Sequence, residues 1–297
     1  MQEKVLFDTD IGSDVDDALA LAYLLCEPGC NLLGVTTVSG EPEKRAGMVS
    51  SICRNLGRDD VEIHVGCERP LLLETNRQPE AQQAAALKDW PHRTFERDNT
   101  AIEFMRRTIR ANPGEVTLLA VGPLTNVAVL FATDPAIPSL LKRLVLMCGF
   151  FFDSMGGEWN AICDPHATAI TYGCGPQDKP AEHVSFGLDV TCKVILEADD
   201  ARQRFSGKKV LEPVRDFAEI WFSSRPRVTF HDPLAAVSLF HPEICTYQDR
   251  NITVPVDGVT AGWTVPHYAP EGAAGKHRIA ARVDSARFFD LYFNTLK

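Results

Sequence analysis

Short apolar runs alternate along the chain with segments in which apolar residues recur at helical spacing. The runs are mainly aliphatic and β-branched, as buried strands are, and they span 5–7, 32–38, 61–65, 116–121, 143–148 and 183–188. Helical spacing is found between several of them, at 16–25, 43–57 and 124–133. Continuous apolar strands that alternate with helices are typical of βαβ units, whose helices cover both faces of a parallel sheet. The pattern predicts a single Rossmann-like α/β domain over 1–297, with a mostly parallel central sheet flanked by helices.

Two segments depart from this alternation. Residues 68–98 are polar and irregular, although QPEAQQAAALKDW (78–90) has the composition of a short helix. A stretch this long without regular structure inside an α/β domain is more often functional than a plain connection, so we expect a lid or specificity loop over 68–98. Near the end of the chain, NITVPV (251–256) and AGWTVPHY (261–268) predict a late strand or hairpin.

Composition excludes several classes of partner. The 297 residues carry a formal net charge of −10, which argues against nucleic acid or an anionic membrane as the main partner. The nine cysteines show no CxxC pair or zinc-ligand spacing, a pattern typical of reduced thiols in a cytosol. The longest apolar stretch, 18–25, is shorter than the ~20 residues of a membrane span. We therefore expect a soluble, cytoplasmic protein.

Five aspartates fall within ten positions where the first strand gives way to the first helix: Asp8, Asp10, Asp14, Asp16 and Asp17. Carboxylates this close repel one another and resist burial, and a divalent cation relieves both effects. They are hard oxygen ligands, which suit Ca²⁺ or Mg²⁺. Helix capping explains the three later aspartates but not Asp8 and Asp10, which still belong to the strand end. The cluster therefore predicts a metal site.

Two known acidic loops fit the cluster poorly. An EF-hand needs Asp or Asn at its fifth position and Glu at its twelfth, but counting from Asp8 these are Gly12 and Leu19. A strand followed by DxD is also found in haloacid-dehalogenase phosphohydrolases, in which Gly-Thr comes next. Here Ile11 follows instead, and no later GDxxxD is found. A Mg²⁺-dependent phosphohydrolase of that type is the second hypothesis.

Three further motifs combine turn residues with polar side chains: AVGPLTNVAVLF (120–131), EWNAICDP (158–165) and FHDPLAAV (230–237). Together with DTDIGSDVDDALAL (8–21) and TTVSG (36–40), in this order, they resemble the inosine–uridine-preferring nucleoside hydrolases. The resemblance extends from about residue 5 to residue 240. It implies an enzyme that hydrolyses the N-glycosidic bond of a ribonucleoside to free base and ribose, with a bound Ca²⁺.

The resemblance implies a role for each matching residue around the metal. Asp10 would bind Ca²⁺ and would also accept a proton from a metal-bound water. Asp17 would be a bidentate ligand, and Val121 would contribute its main-chain carbonyl. Asp232 would complete the calcium shell, while His231 would lie near the leaving base as a proton donor.

Further residues would hold the sugar. Asp16 would bind ribose hydroxyls, and Glu158 and Asn160 would grip the ribose. The family usually has Asn after TTVxG, where this chain has Glu41, whose carboxylate would still accept a hydrogen bond from a ribose hydroxyl. Because no Lys/Arg cluster accompanies the motifs, a nucleoside is favoured over a nucleotide.

The chain also departs from the family pattern DxDPGxDDA. Two extra residues precede the DDA, so alignment from the helix side selects Asp16, whereas alignment from the strand side would select Asp14 instead. The family's HGxDG is absent near 80–95. The residues matched to catalytic and metal-binding roles, which form the floor of the expected pocket, are therefore kept. The residues expected around the base and the 5′ end of the ribose, which form its walls, differ from the family pattern. Candidates to stack on a base, some of them at spacing typical of a helix core, are Phe150, Phe151, Trp221 and Phe222.

The altered walls motivate a third hypothesis, a non-catalytic, calcium-loaded protein that binds ribose or a nucleoside. For the quaternary structure, the resemblance implies a homodimer or homotetramer.

Overall fold

The computed structural model describes residues 2–152, 156–173, 182–269 and 275–296. The strands in these ranges are β1 (Glu3–Thr9), β2 (Cys30–Thr37), β3 (Ile63–Val65), β4 (Val116–Ala120), β5 (Arg143–Met147), β6 (Glu182–Phe186), β7 (Ile195–Glu197), β8 (Arg227–Thr229), β9 (Cys245–Thr253), β10 (Val265–His267) and β11 (His277–Val283).

The α-helices are α1 (Asp16–Cys26), α2 (Pro42–Asn55), α3 (Ala101–Ala111), α4 (Thr125–Thr133), α5 (Ile137–Leu140), α6 (Trp159–Cys163), α7 (Pro165–Tyr172), α8 (Leu188–Thr191), α9 (Ala198–Phe205), α10 (Glu212–Phe222), α11 (His231–Ser238) and α12 (Ser285–Thr295). Short 3₁₀ helices lie at Gln82–Asp89, Lys209–Leu211, Pro242–Ile244 and Gly258–Thr260. In the described residues, no helix has both the length and the apolar character needed to cross a membrane.

A nine-stranded sheet organises the fold, in the order β10-β9-β11-β6-β5-β4-β1-β2-β3. From β11 to β3 all neighbouring strands are parallel, whereas β9 is antiparallel to both β11 and β10. The predicted α/β architecture with a mostly parallel sheet is therefore confirmed. The late hairpin is also confirmed, as β9 and β10.

Each strand in the centre of the sheet divides its side chains between two cores. In β1, Val5 and Phe7 belong to the buried cluster on one face, and Leu6 belongs to the cluster on the other. Successive side chains of a strand point to opposite faces, so a run that is apolar throughout requires helices on both sides. This is the physical reason why the continuous apolar runs predicted the layering correctly.

Helix α1 lies entirely inside the protein, since all of its residues are buried. It packs against α11, and the Tyr292 hydroxyl of the last helix donates to the Leu19 carbonyl at 2.9 Å. The packing brings the N-termini of α1 and α11 together, because the Asp232 backbone N–H donates to the Asp16 carboxylate at 3.2 Å. Two motifs that are 216 positions apart in sequence therefore meet at the carboxyl edge of the sheet.

The segment between β3 and α3 is fixed at several points to the loops and helices that follow the strands. At its start, the Cys67 N–H donates to the Asn126 side chain and the Leu71 N–H donates to the Asp164 carboxylate, both at 2.8 Å. Gly40 allows a close approach farther along, because a Cβ there would lie 2.2 Å from the Pro79 carbonyl oxygen. The short helix expected over 78–90 is a 3₁₀ helix, Gln82–Asp89.

Candidate active site

A cavity of about 570 Å³ opens at the carboxyl edge of the sheet. Six carboxylates line it: Asp10, Asp14, Asp16, Asp17, Glu158 and Asp232. Its other walls include Val121, Asn160, Trp221 and His231, together with residues 77–79 and 82–83 of the segment that follows β3. The location agrees with the general position of ligand sites in open α/β sheets, beyond the carboxyl ends of the strands.

Three of these carboxylates form a compact group at the N-termini of α1 and α11. One oxygen each from Asp16, Asp17 and Asp232 lie within 4.8 Å of one another, and all three residues are buried. The Thr9 hydroxyl donates to Asp17, which fixes that carboxylate at the end of β1. Three buried hard-oxygen donors at this separation fit a divalent cation such as Ca²⁺.

The Asp10 carboxylate lies beside this group and is held from several sides. Its Oδ2 accepts a hydrogen bond from the Gln78 amide at 2.5 Å. Its Oδ1 lies against Gly122, where an added Cβ would be only 2.7 Å away. The Gly-Pro turn after β4 is therefore more than a chain reversal, because a side chain at Gly122 would displace Asp10.

Arg45 supplies a buried positive charge next to the carboxylates. Its side chain is 0% exposed, and its guanidinium donates to four main-chain carbonyls, those of Asp10, Ile11, Gly40 and Glu80. Asp10 and Asp17 are among the negative charges that favour its protonated form. One side chain thus joins the loop after β1, the turn after β2 and the segment after β3.

Burial raises the pKa of every carboxyl group in the cavity. The pKa of Asp14 and that of Glu158 rise to about 7. Burial and repulsion from neighbouring aspartates together raise the pKa values well above the usual range at Asp16, Asp17 and Asp232. Burial also raises the pKa of Asp10, although the charge of Arg45 and the hydrogen bond from Gln78 oppose the shift. Protons and a divalent cation therefore compete for these oxygens.

Glu158 and Asn160 are positioned by the start of α6. The Glu158 carboxylate caps this helix, accepting from the N–H groups of Asn160 at 2.7 Å and Ala161 at 3.0 Å. The Asn160 Nδ2 donates to the Val121 carbonyl at 2.6 Å and to the Met147 carbonyl at 3.1 Å. The predicted metal ligand Val121 therefore lines the cavity with its carbonyl bonded to Asn160.

His231 lines the cavity at the start of α11. Its Nδ1 is 2.7 Å from the Thr191 hydroxyl, and burial lowers its pKa to about 4. The ring is therefore neutral near pH 7. As a donor it offers a neutral N–H rather than an imidazolium.

The structure does not bring Glu41 to this site. Its carboxylate accepts from Lys44 and from the Ala81 N–H, and it lies on a separate surface depression, outside the described lining of the central cavity. By contrast, Asp14 does line the cavity, with Oδ1 accepting from the Val15 N–H at 2.6 Å. Both aspartates considered for the ribose are therefore present, and Glu41 faces elsewhere.

Several residues of the site were not found from the sequence. Gln78 and Arg45 come from segments without a recognised motif, and Trp159 stands inside EWN, where only Glu158 and Asn160 carry implied roles. The arginines Arg77 and Arg225 line the cavity although the motifs predicted no basic cluster there. No local sequence pattern indicates these residues, because only folding brings their distant segments to the same opening.

The base-stacking candidates have different surroundings. Trp221 lines the cavity, whereas Phe151 is 5% exposed and belongs to a buried core cluster. Phe222 packs against the core of the other face. Of these candidates, Trp221 is therefore available to a ligand in the cavity.

Comparison with known proteins assigns the chain to a family. The sequence model of the inosine-uridine preferring nucleoside hydrolases matches residues 5–290. The pyrimidine-specific ribonucleoside hydrolase RihA of Citrobacter koseri is 30% identical over 316 residues, covering 98% of this chain and 97% of that protein. Uridine nucleosidase 1 of Arabidopsis thaliana is 29% identical over 281 residues, covering 89% and 81%.

Solved structures show the same fold. The purine-preferring ribonucleoside hydrolase from Gardnerella vaginalis superposes with a TM-score of 0.82 at 23% identity, covering 99% of this chain and 98% of that one. A plant nucleoside hydrolase superposes with a TM-score of 0.81 at 22% identity. The chain thus shares its overall α/β fold with these solved structures.

The position of Arg45 leads to a prediction about stability. Arg45→Met should lower the free energy of unfolding by about 3–5 kcal/mol, because it leaves buried carbonyls without donors and buried carboxylates without their counter-charge. Urea denaturation in EDTA measures the change. Lys44→Met removes the same charge from an exposed ion pair and should change the value by less than about 1 kcal/mol. Equal losses in the two variants would contradict this role of Arg45.

Proposed function

We propose that the chain hydrolyses the N-glycosidic bond of ribonucleosides with Ca²⁺ as its metal. The chain belongs to the inosine-uridine preferring nucleoside hydrolase family and is thus a nucleoside hydrolase. The convergence of Asp16, Asp17 and Asp232 in one cavity is the observation that carries the proposal. The same cavity holds Asp10 and the pair Glu158 and Asn160. Metal ligands, a proton acceptor and sugar-binding groups therefore face one space.

The proposed calcium ligands are Asp10, Asp17, Asp232 and the main-chain carbonyl of Val121, while Asp16, which belongs to the same compact group, is assigned to the ribose. All are oxygen donors that line the cavity, and Ca²⁺ accepts six to eight such ligands in flexible geometry. The carboxylates of the cavity outnumber the buried guanidinium of Arg45 beside them. The negative charge that remains favours binding of a divalent cation. When bound, the calcium would acidify a water and fix ribose hydroxyls against it.

Asp10 is proposed as the proton acceptor. A carboxylate at the cavity floor suits this role because a base must lie within hydrogen-bond reach of the nucleophile. The Gln78 N–H and the Arg45 charge both favour its ionised form. Its proposed function depends on keeping that form in a cavity where burial alone would protonate it.

The ribose is proposed to lie between Asp16 on one side and Glu158 and Asn160 on the other. Two main-chain carbonyls hold the Nδ2 of Asn160, so its Oδ1 is the atom proposed to accept from a ribose hydroxyl. Carboxylates around the sugar also favour the positive charge that develops on the ring as the base leaves. His231 would assist departure with a hydrogen bond from its neutral ring.

The phosphohydrolase alternative is not supported by the surroundings of Asp8. An aspartate that takes up a phosphoryl group must face the substrate, but Asp8 is 0% exposed and its Oδ1 accepts from Thr36 and Asn126. It is also absent from the described lining of the cavity. The role of 68–98 as a lid, the homo-oligomeric state and the cytoplasmic location stay predictions.

The first test is enzymatic. With calcium present, we expect release of free base and reducing ribose from inosine, uridine or a related ribonucleoside, and Asp10→Asn should lower kcat by about 10²–10⁴-fold. Because Asp10 is also a proposed calcium ligand, titration calorimetry should show weaker but measurable calcium binding in the variant, and kcat is compared at calcium concentrations that saturate both proteins. No turnover across a broad nucleoside panel would contradict the function. Tight nucleoside binding without turnover would indicate the binding-protein hypothesis instead.

The second test distinguishes the two aspartates considered for the ribose. Asp16→Asn should lower kcat/KM by about 10- to 100-fold, the loss expected when a charged hydrogen-bond acceptor is removed from a buried ligand. Asp14→Asn should change it by less than about fivefold. A larger loss in Asp14→Asn would favour the alignment from the strand side.

The third test uses pH. In the metal-free protein the raised carboxyl pKa values stabilise the fold at low pH, and this contribution is lost as the pH rises from about 4 through about 7. Calcium replaces the protons, so the increase in Tm produced by calcium over EDTA should be larger at pH 8 than at pH 5, by on the order of 5 °C. Asp232→Asn should remove most of this difference, and an equal calcium effect at both pH values would contradict the proposed site.

A further inference from the structure

Gln78 connects three separate parts of the cavity through one side chain. It is 5% exposed, and its Nε2 donates to Asp10 Oδ2 at 2.5 Å and to Ser13 Oγ at 2.7 Å. Its Oε1 accepts from the Trp159 indole N–H at 2.7 Å. The segment after β3, the loop after β1 and the start of α6 thus meet at a single amide.

The direction of this amide is determined by its partners. An indole Nε1–H can only donate, so the Gln78 group that faces Trp159 must be the carbonyl oxygen. An ionised Asp10 carboxylate can only accept, so the group that faces it must be the NH₂. If the amide were rotated, its NH₂ would face the Trp159 N–H, so two donors would meet. Its oxygen would face the Asp10 carboxylate, so two acceptors would meet. The observed orientation is therefore the one that all three side chains satisfy.

The side chain of Gln78 is not needed to hold its own segment in place. The Gln78 carbonyl already accepts from the Gly40 N–H at 3.1 Å and from the Ser39 hydroxyl at 3.2 Å, and the Gln78 N–H donates to Asn76 at 2.9 Å. Arg45 binds the same segment farther along, at the Glu80 carbonyl. A long polar side chain that is costly to order must therefore serve the residues it reaches.

We propose that Gln78 is a positioning residue for the reaction, holding the Asp10 carboxylate in one rotation about its Cβ–Cγ bond while Trp159 holds Gln78. With Oδ2 bonded to Gln78, Oδ1 is turned toward Gly122. The two oxygens thus have different neighbours and cannot exchange freely. This inference rests on the proposed function, in which Asp10 accepts the proton.

The kinetic test compares three variants. Gln78→Met keeps the length of the side chain without its hydrogen bonds, and it should lower kcat by about 10- to 100-fold with KM changed by less than about threefold, the effect of a misplaced catalytic group. Gln78→Glu keeps an acceptor for Trp159 but sets a like charge against Asp10, so kcat should fall at least as far. Trp159→Phe keeps an aromatic ring but removes the N–H that holds Gln78, and it should lower kcat less because Gln78 can still donate to Asp10. In the double variant Gln78→Met/Trp159→Phe, the losses should not multiply, because both act through one contact.

A second readout does not depend on turnover. In ¹⁵N-labelled, metal-free protein, the indole N–H resonance that is missing in Trp159→Phe should shift and exchange faster in Gln78→Met, and should stay protected in Gln78→Glu. Thr75→Ala, an exposed position on the same segment, should leave both the resonance and the kinetics unchanged. A purely structural role would lower Tm or raise KM in Gln78→Met without the selective loss of kcat.

The outcomes separate the two proposals. If the wild-type protein turns over nucleosides and Gln78→Met retains kcat within twofold, or if the losses of the two single variants multiply, the positioning role of Gln78 is wrong. If the wild-type protein shows no turnover on the nucleoside panel with calcium, the proposed function fails. Independently of turnover, an indole resonance that is unchanged in Gln78→Met would overturn the inferred contact between Gln78 and Trp159.

Discussion

The burial of many carboxylates in one cavity is the constraint that the surrounding structure satisfies. A buried charge without partners costs several kcal/mol, so each acid requires its own compensation. The Thr9 hydroxyl binds Asp17, the backbone of α6 binds Glu158, and Arg45 lies beside Asp10. These contacts reduce the excess negative charge without removing it, and the remainder is what makes the cavity suited to a divalent cation.

The compensation also determines the shape of the site. Arg45 binds carbonyls of the loop after β1, of the turn after β2 and of the segment after β3. Since the same side chain lowers the local negative potential and joins these three segments, a shift in any of them changes the environment of Asp10. Gln78 adds a second connection between the wall and the floor. The floor and this wall therefore behave as one polar network, in which partial satisfaction is costly.

The regular elements could be predicted because their cause is local. Apolar runs and helical spacing identified the central strands and α1, and family motifs located most of the acidic floor. Strand β11 was not predicted, since Arg278 and Arg282 interrupt its apolar character; Arg278 is accommodated by an ion pair to Glu182 at 2.6 Å. Arg45 and Gln78 could not be predicted either, because nothing within a few residues of them indicates a buried partner. Their roles are set by contacts between segments that only the fold brings together.

The floor and the walls of the cavity are under different physical control. Floor residues such as Asp10, Asp17 and Asp232 are held by the helix and strand ends that carry them and repel one another, so a change at one alters the charge felt by all. Residues at the opening have weaker constraints: the Arg225 guanidinium lies 5.4 Å from the Trp221 ring, and Trp159 is half exposed. In the proposed mechanism, cleavage of the N-glycosidic bond depends on the floor whatever the base is, whereas discrimination between bases requires groups that reach the base edge and are left unpaired by the wrong one. Such groups can change at the opening without disturbing the balance of charge below, so a change of base preference would not require a change of the acidic floor.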